Sequence, residues 1–138
     1  MRKIEKCPAC GGTDFALRDV LWPELVSDWG LSPSEVEVIN RQQGYHCTAC
    51  GNNLRSMALA DAILNAYDFN GTLAQFVESE AATTFRVLEI NAAGGLSFLL
   101  GRMPGHQRVC YPESDMTKLL FQSGVFDLVV HSDTLEHL

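Results

Sequence analysis

The sequence has 138 residues, of which 46% are apolar and 20% are charged, and these proportions exclude disordered and fibrous classes. Ten lysines and arginines against 17 aspartates and glutamates give a net charge of −7, which disfavours general nucleic-acid binding because that requires a basic surface. No apolar run is long enough to span a bilayer, and no apolar signal segment precedes the first cysteine. We therefore expect a cytoplasmic protein with no membrane partner.

Four of the five cysteines form two matched pairs, Cys7 with Cys10 and Cys47 with Cys50. Each pair encloses two residues and is followed by glycine, so a tight turn can point both sulfurs at one ion while backbone amides face the sulfurs. Together the pairs predict a zinc-ribbon-like unit with a tetrahedral four-thiolate Zn²⁺ site. Four protein ligands leave no position for substrate, so this zinc is structural. Thioredoxin-like redox chemistry and disulfide bonds are the weaker alternatives.

The 36 residues between the two pairs form an insertion. Residues 14–21 favour a short strand, and residues 23–30 favour a short helix. Ser32 and Glu35 have the spacing of a capping box, with a proline between them at the first helical position, which predicts a second helix reaching Gln43.

The segment after the second pair is predicted to be helical. Apolar residues recur at helical spacing over residues 53–68, and a further helix begins near Thr72. Residues 80–84 are interpreted as a junction. We therefore expect two domains, with a zinc-ribbon-like unit over residues 1–80 and a second domain over residues 81–138.

The second domain alternates strands and turns in a way that predicts a parallel sheet. Strands are expected over residues 86–90, 107–111 and 126–131, with a glycine-containing turn and a helix over residues 96–102 between the first two. This order is typical of an α/β fold. Cys110 falls within an apolar strand and is expected to be a buried free thiol.

Three segments of this second domain resemble motifs of the class I S-adenosylmethionine-dependent methyltransferases. Residues 87–95 (VLEINAAGG) resemble the strand and E-x-G-x-G-x-G turn of the first motif. Residues 115–130 (DMTKLLFQSGVFDLVV) resemble the run D-A-x-x-L-P-F-x-D-G-x-F-D-L-V-V, and residues 131–138 (HSDTLEHL) resemble S-x-D-x-L-E-H-L/V. The resemblance implies a Rossmann-like parallel sheet and S-adenosylmethionine as the cofactor.

The resemblance also implies roles for individual residues. Glu89 would fix the amino group of the cofactor, and Asp115 with Met116 would contact adenine. Glu113 is the candidate for the ribose. The turn and the pocket border would be formed by Asn91, Ala93, Gly95, His131, Ser132 and Leu135. If a catalytic base is used, the candidates are Glu136 and His137.

Three departures from the family pattern bear on the expected cofactor turn and fold. Asn91 and Ala93 stand where the family has glycines, and Ala93 adds a methyl group where the ligand should pass. The interval between Gly95 and Asp115 is too short for all the expected elements, and the motifs stop before the remaining strands. We therefore expect a partial, truncated methyltransferase sheet, whose exposed edge would favour self-association.

These patterns lead to competing functional hypotheses. The first is transfer of a methyl group from S-adenosylmethionine to an unidentified oxygen, nitrogen or carbon acceptor. The alternative is a catalytically silent, zinc-stabilised binding or scaffolding fragment. A zinc-ribbon recognition module for protein or nucleic acid is a third, weaker hypothesis.

Overall fold

The computed structural model describes residues 4–135. The chain divides into two compact units, Met1–Thr72 and Leu73–Leu138, whereas the sequence placed the division near residue 80. Within the described range, the helices are too short or too polar to cross a membrane.

The first unit combines a two-stranded antiparallel sheet, whose strands are separated in sequence by the insertion, with three α-helices. Strand β1 (Phe15–Ala16) pairs antiparallel with β2 (His46–Cys47), and Phe15 lies opposite Cys47. This pairing brings the chain after the first cysteine pair beside the second pair. The helical elements are α1 (Pro23–Asp28), α2 (Pro33–Ile39), a π-helical turn (Asn40–Gly44) and α3 (Leu54–Ala66).

Side-chain caps set where the helices of the first unit begin. The Ser32 hydroxyl accepts from the Glu35 amide, and the Glu35 carboxylate accepts from the Ser32 amide at 2.8 Å. The predicted capping box is thereby confirmed. Asn53 caps α3 by accepting from the Ser56 amide at 3.0 Å. Helix α3 contributes a buried face, whereas α1 and α2 contain no buried residue.

The second unit is built on a three-stranded parallel sheet. Its elements are α4 (Leu73–Val77), a 3₁₀ turn (Ala81–Thr84), β3 (Arg86–Ile90), a 3₁₀ turn (Gly94–Leu96), α5 (Ser97–Leu100), β4 (Gly105–Val109), a 3₁₀ turn (Met116–Lys118) and β5 (Leu128–His131). The strand order is β4–β3–β5, with both pairings parallel. The predicted mixed α/β class and the parallel pairing are confirmed.

The central strand β3 is enclosed on both faces. Val87, Leu88 and Ile90 are at most 4% exposed, as expected for an interior parallel strand. The remaining core of this unit consists of Leu73, Phe76, Val77, Ala82, Ala93, Leu96, Leu100, Met103 and Val130.

Strand β4 begins two residues earlier than the sequence predicted. Gly105 pairs with Arg86, and a Cβ atom at this position would lie 2.1 Å from the Phe85 carbonyl oxygen. Glycine therefore permits a pairing that any side chain would block. Because the strand ends at Val109, Cys110 lies beyond it and is exposed. The expectation of a buried Cys110 thiol was wrong.

Candidate functional site

The four paired cysteines converge on one point of the first unit. Their Sγ atoms all lie within 4.8 Å of one another, and Cys7–Cys50 and Cys10–Cys47 are separated by 3.7 Å. Tetrahedral coordination with a Zn–S bond of about 2.3 Å places sulfurs ~3.8 Å apart, whereas a disulfide bond is about 2.05 Å long. The four cysteines are positioned to bind a metal ion, and none of them forms a disulfide bond.

The backbone around the cysteines is shaped to support thiolates. Gly11 and Gly51 follow the second cysteine of each pair and have φ of +85° and +73°. The Gly12 amide donates to Cys10 Sγ at 3.4 Å, and the Asn52 side-chain amide donates to Cys50 Sγ at 3.3 Å. Such N–H donors disperse the negative charge that sulfur carries when it binds a metal.

Burial makes a bare thiolate unfavourable at this site. It raises the pKa of the Cys7 thiol to about 12 and also raises the pKa of Cys10. Burial acts in the same direction on Cys50, but hydrogen bonds from the Asn52 backbone and side chain, and from the neighbouring cysteines, outweigh it and lower the pKa. A bound cation would compensate the buried negative charge and displace the thiol protons.

A cavity of about 510 Å³ opens at the carboxyl ends of the three parallel strands in the second unit. It is lined by Ile90, Asn91, Tyr111, Ser114, Asp115, Met116, Thr117 and Thr134. From β3 the chain passes first to β4 on one side and later to β5 on the other. Ligands of open α/β sheets bind at such a reversal of strand order, in the crevice beyond the strand ends.

Asn91 joins the three segments that border this cavity. Its backbone amide donates to the Val109 carbonyl at 2.7 Å, and its side-chain oxygen accepts from the Tyr111 amide at 3.0 Å. Its side-chain nitrogen donates to the Thr134 hydroxyl at 3.3 Å. These bonds require a left-handed backbone with φ of +57°, which asparagine adopts more readily than other non-glycine residues.

Asp115 and Met116 line the same cavity, on the loop after β4. The Asp115 carboxylate accepts from the Thr117 amide at 2.8 Å and from the Thr117 hydroxyl at 2.6 Å. These two bonds lower the pKa of Asp115 by stabilising its carboxylate form. The loop therefore offers the cavity an anionic, hydrogen-bonded edge beside an apolar side chain.

Glu89 does not line the cavity; it is fully buried beneath the turn that follows β3. One carboxylate oxygen accepts from the Ala93 amide at 2.7 Å and from the Ser97 hydroxyl, and the other lies 2.7 Å from His106 Nε2. Burial by itself would raise the pKa of Glu89, but these hydrogen bonds and the charge of His106 lower it. Glu89 thus holds the turn from inside.

The other residues implied by the family resemblance do not line this cavity. Ala93 is fully buried, so its methyl group does not enter the cavity, and Leu135 is 57% exposed. The Ser132 carbonyl accepts from the Thr134 hydroxyl. Gly95 and Glu113 are exposed, and His131 belongs to β5. Glu136 and His137 lie outside the described residues.

Sequence reasoning missed several residues that the structure brings to these positions. The cavity is also lined by Tyr111, Ser114, Thr117 and Thr134. The one sequence signal for these residues is that they lie at or after the carboxyl ends of predicted strands. Ser97 and His106 contact Glu89. His106 was outside the predicted strand over residues 107–111, and the structure places it in β4.

Comparisons with protein-family models, with curated proteins and with solved structures gave no match to this chain.

Proposed function

We propose that this protein binds S-adenosylmethionine in the cavity at the carboxyl ends of β3, β4 and β5, and transfers its methyl group to an acceptor. The proposal depends on one observation: the cavity lies at the reversal of strand order and is lined by residues from segments that resemble methyltransferase motifs. On this proposal the sheet is the amino-terminal part of a Rossmann-like methyltransferase fold.

The lining of the cavity suits an adenosine group. A volume of about 510 Å³ falls within the usual range of roughly 300–1,000 Å³ for small-molecule sites. Tyr111 and Met116 offer apolar surface for a flat base, while Asn91, Asp115 and Thr134 offer polar groups for amino and hydroxyl substituents. These are the residues that would hold the cofactor.

S-adenosylmethionine, when bound, supplies an electrophilic methyl group on a sulfonium, so the protein's task is orientation and exclusion of water. Glu89 would contribute through the turn that it anchors rather than by touching the cofactor. Asn91 would keep the three bordering segments in register. We assign no base among the described residues.

We propose that the four-cysteine cluster of the first unit holds a structural zinc ion. The support is the fit between the observed sulfur separations and tetrahedral thiolate coordination. The expected result is one zinc per chain by elemental analysis, lost in Cys47→Ser and kept in the matched control Cys110→Ser. Protein purified without chelator that contains well under one zinc per chain would contradict the site.

A second candidate function is a catalytically silent binding or scaffolding protein. The position of Glu89 favours this function. The family resemblance assigns its carboxylate to the cofactor, but in this structure the carboxylate is hydrogen-bonded to Ala93, Ser97 and His106 instead. On this hypothesis the turn after β3 is held by Glu89 as a structural element and binds no cofactor.

Calorimetric titration with S-adenosylmethionine and S-adenosylhomocysteine separates the two functions. We expect the native chain to bind S-adenosylmethionine with micromolar affinity. Asp115→Asn loses a charge at the cavity edge, so its affinity should be at least about tenfold lower. Glu113→Gln removes a charge two residues away, outside the lining, and should bind normally. Absence of binding at millimolar ligand would reject the methyltransferase proposal.

A further inference from the structure

The insertion between the two cysteine pairs displays more apolar surface than a small folded unit normally leaves in water. Leu17, Trp22, Trp29 and Val38 are between 56% and 63% exposed. Neither α1 nor α2 contains a buried residue. We call the exposed side chains of residues 17–41 the insertion surface. Exposed apolar groups in such density mark interaction sites on soluble proteins.

Helix α2 lies between two shallow cavities of the insertion surface. One, of about 310 Å³, is lined by Leu17, Asp19, Glu37, Asn40, Arg41 and Tyr45. The other, of about 290 Å³, is lined by Leu31, Ser34, Glu35, Val38 and Ile39. Both cavities have apolar walls. The second has a carboxylate and no cation in its lining, and the first has two carboxylates and Arg41, so both can receive apolar anchors flanked by cations.

The insertion surface is predominantly acidic, with five carboxylates against two arginines over residues 17–41. Residues 19–40 contain five acidic residues, namely Asp19, Glu24, Asp28, Glu35 and Glu37, and no lysine, arginine or histidine. The segment is bounded by single arginines at positions 18 and 41. Hydrogen bonds from Ser32 lower the pKa of Glu35 and so favour its charged form.

This charge selects among the classes of partner that an apolar surface could take. Nucleic acids and anionic membranes carry the same sign of charge and would be repelled. A second copy that docked through the same face would oppose a surface of five carboxylates and two arginines with another of the same net negative charge, because a two-fold contact pairs a surface with itself. A cationic protein segment meets no such repulsion.

We propose that the insertion surface docks a cationic, amphipathic segment of another protein. Its apolar side chains would enter the two cavities beside α2, and its lysines or arginines would face the carboxylates at their edges. Cations can also stack on exposed tryptophan rings, and tryptophan is over-represented among residues that dominate binding energy at interfaces. This binding does not depend on the cavity of the second unit.

The tryptophans make the test direct. The chain contains two, Trp22 and Trp29, so intrinsic tryptophan fluorescence reports on the insertion surface alone. Titration of the full chain with a helical lysine–leucine peptide should give a saturable blue shift, with an affinity that falls as salt is raised. A lysine–serine peptide of equal charge and a glutamate–leucine peptide should each leave the emission unchanged.

Four exposed-site variants separate local docking from the overall negative charge. Glu37→Lys should weaken binding of the lysine–leucine peptide about fivefold, and Val38→Ser about tenfold. Their matched controls in the second unit, Glu80→Lys and Leu120→Ser, should bind like the native chain; Leu120 is 100% exposed. Three results would overturn the proposal. They are an equal loss of affinity in Glu37→Lys and Glu80→Lys, equal binding of the three peptides, and no fluorescence change with the lysine–leucine peptide.

Discussion

The two units of this protein reach a folded state by different physical means. In the first, the strands are two residues long, α1 and α2 bury nothing, and Cys7, Ala9 and Cys47 are among the few groups fully removed from water. In the second, a parallel sheet encloses apolar side chains from β3, α4 and α5. Small units need either a cross-link or a dense core. The second unit has such a core, whereas the first has the buried face of α3 and the cysteine cluster that we propose binds zinc.

Metal removal should give the largest effect and should separate the two units. Structural zinc contributes about 10–16 kcal/mol in zinc-finger peptides at neutral pH, which exceeds the stability of a typical small domain. On chelation of the intact chain, amide NMR dispersion should collapse for residues 4–72 and persist for β3, β4 and β5. Retained dispersion throughout residues 4–72 would show that this unit does not depend on metal.

Leu88→Ala should give the converse result. Leu88 is 2% exposed in the central strand, and removing a buried leucine side chain costs roughly 2–5 kcal/mol. Urea unfolding followed on resonances of the second unit should show this loss, while zinc content stays unchanged. The control is Val129→Ala, because Val129 is 52% exposed on β5. Equal losses in the two variants would argue against a core centred on β3.

Glu89→Gln tests the polar group buried within that apolar core. It removes the charge that strengthens the bonds to Ala93, Ser97 and His106, and hydrogen bonds to charged groups contribute about 1.5–3 kcal/mol each. We expect destabilisation of the second unit by about 2–3 kcal/mol in urea unfolding. Glu113→Gln, at an exposed site, should change stability by less than ~0.5 kcal/mol.

The same carboxylate predicts a pH dependence. Its pKa in the folded protein lies below the reference value of 4.5, so its contribution is fully present above that pH and is lost as pH falls through the folded pKa. Unfolding of the second unit should therefore become easier below about pH 4.5, and Glu89→Gln should show a smaller pH dependence. Identical pH profiles would exclude Glu89 as the source.

Substitution of Asn91 should have the smallest effect and separates backbone from side chain. Asn91→Gly keeps the left-handed conformation but loses the bonds to Tyr111 and Thr134, which costs about 1 kcal/mol. Asn91→Ala loses the same bonds and adds strain at positive φ, so it should be less stable than Asn91→Gly by a further ~1 kcal/mol. The reverse order, measured by thermal unfolding, would contradict the proposed role of the backbone.

Local sequence signals predicted the parts of this molecule that neighbouring residues determine. The Ser32–Glu35 capping box, the cysteine pairs with their glycines and the parallel α/β pattern all depend on short-range spacing. The orientation of Glu89 could not be predicted because every residue from Val87 to Ile90 is buried, so β3 lacks the alternation that assigns a side chain to a face.

Other features depend on contacts between residues far apart in sequence. The close approach of Gly105 to Phe85 permits β4 to begin at residue 105. The strand therefore includes His106 and ends before Cys110, which was expected to lie within it. The cavity arises from three loops that follow different strands. The family resemblance singled out Asn91, Asp115 and Met116. That all three line the same cavity depends on the order of the strands in the sheet.

The parallel register of β3 has a consequence for synthesis on the ribosome. Ile90 pairs with Val109 on one side and with His131 on the other, so the central strand must wait for both neighbours to leave the exit tunnel. The four paired cysteines are complete by position 50, long before that point. On the proposal that they bind zinc, the first unit would acquire its ion while the nascent β3 still lacks both partners, and the unpaired strand would be exposed to misassociation during that interval.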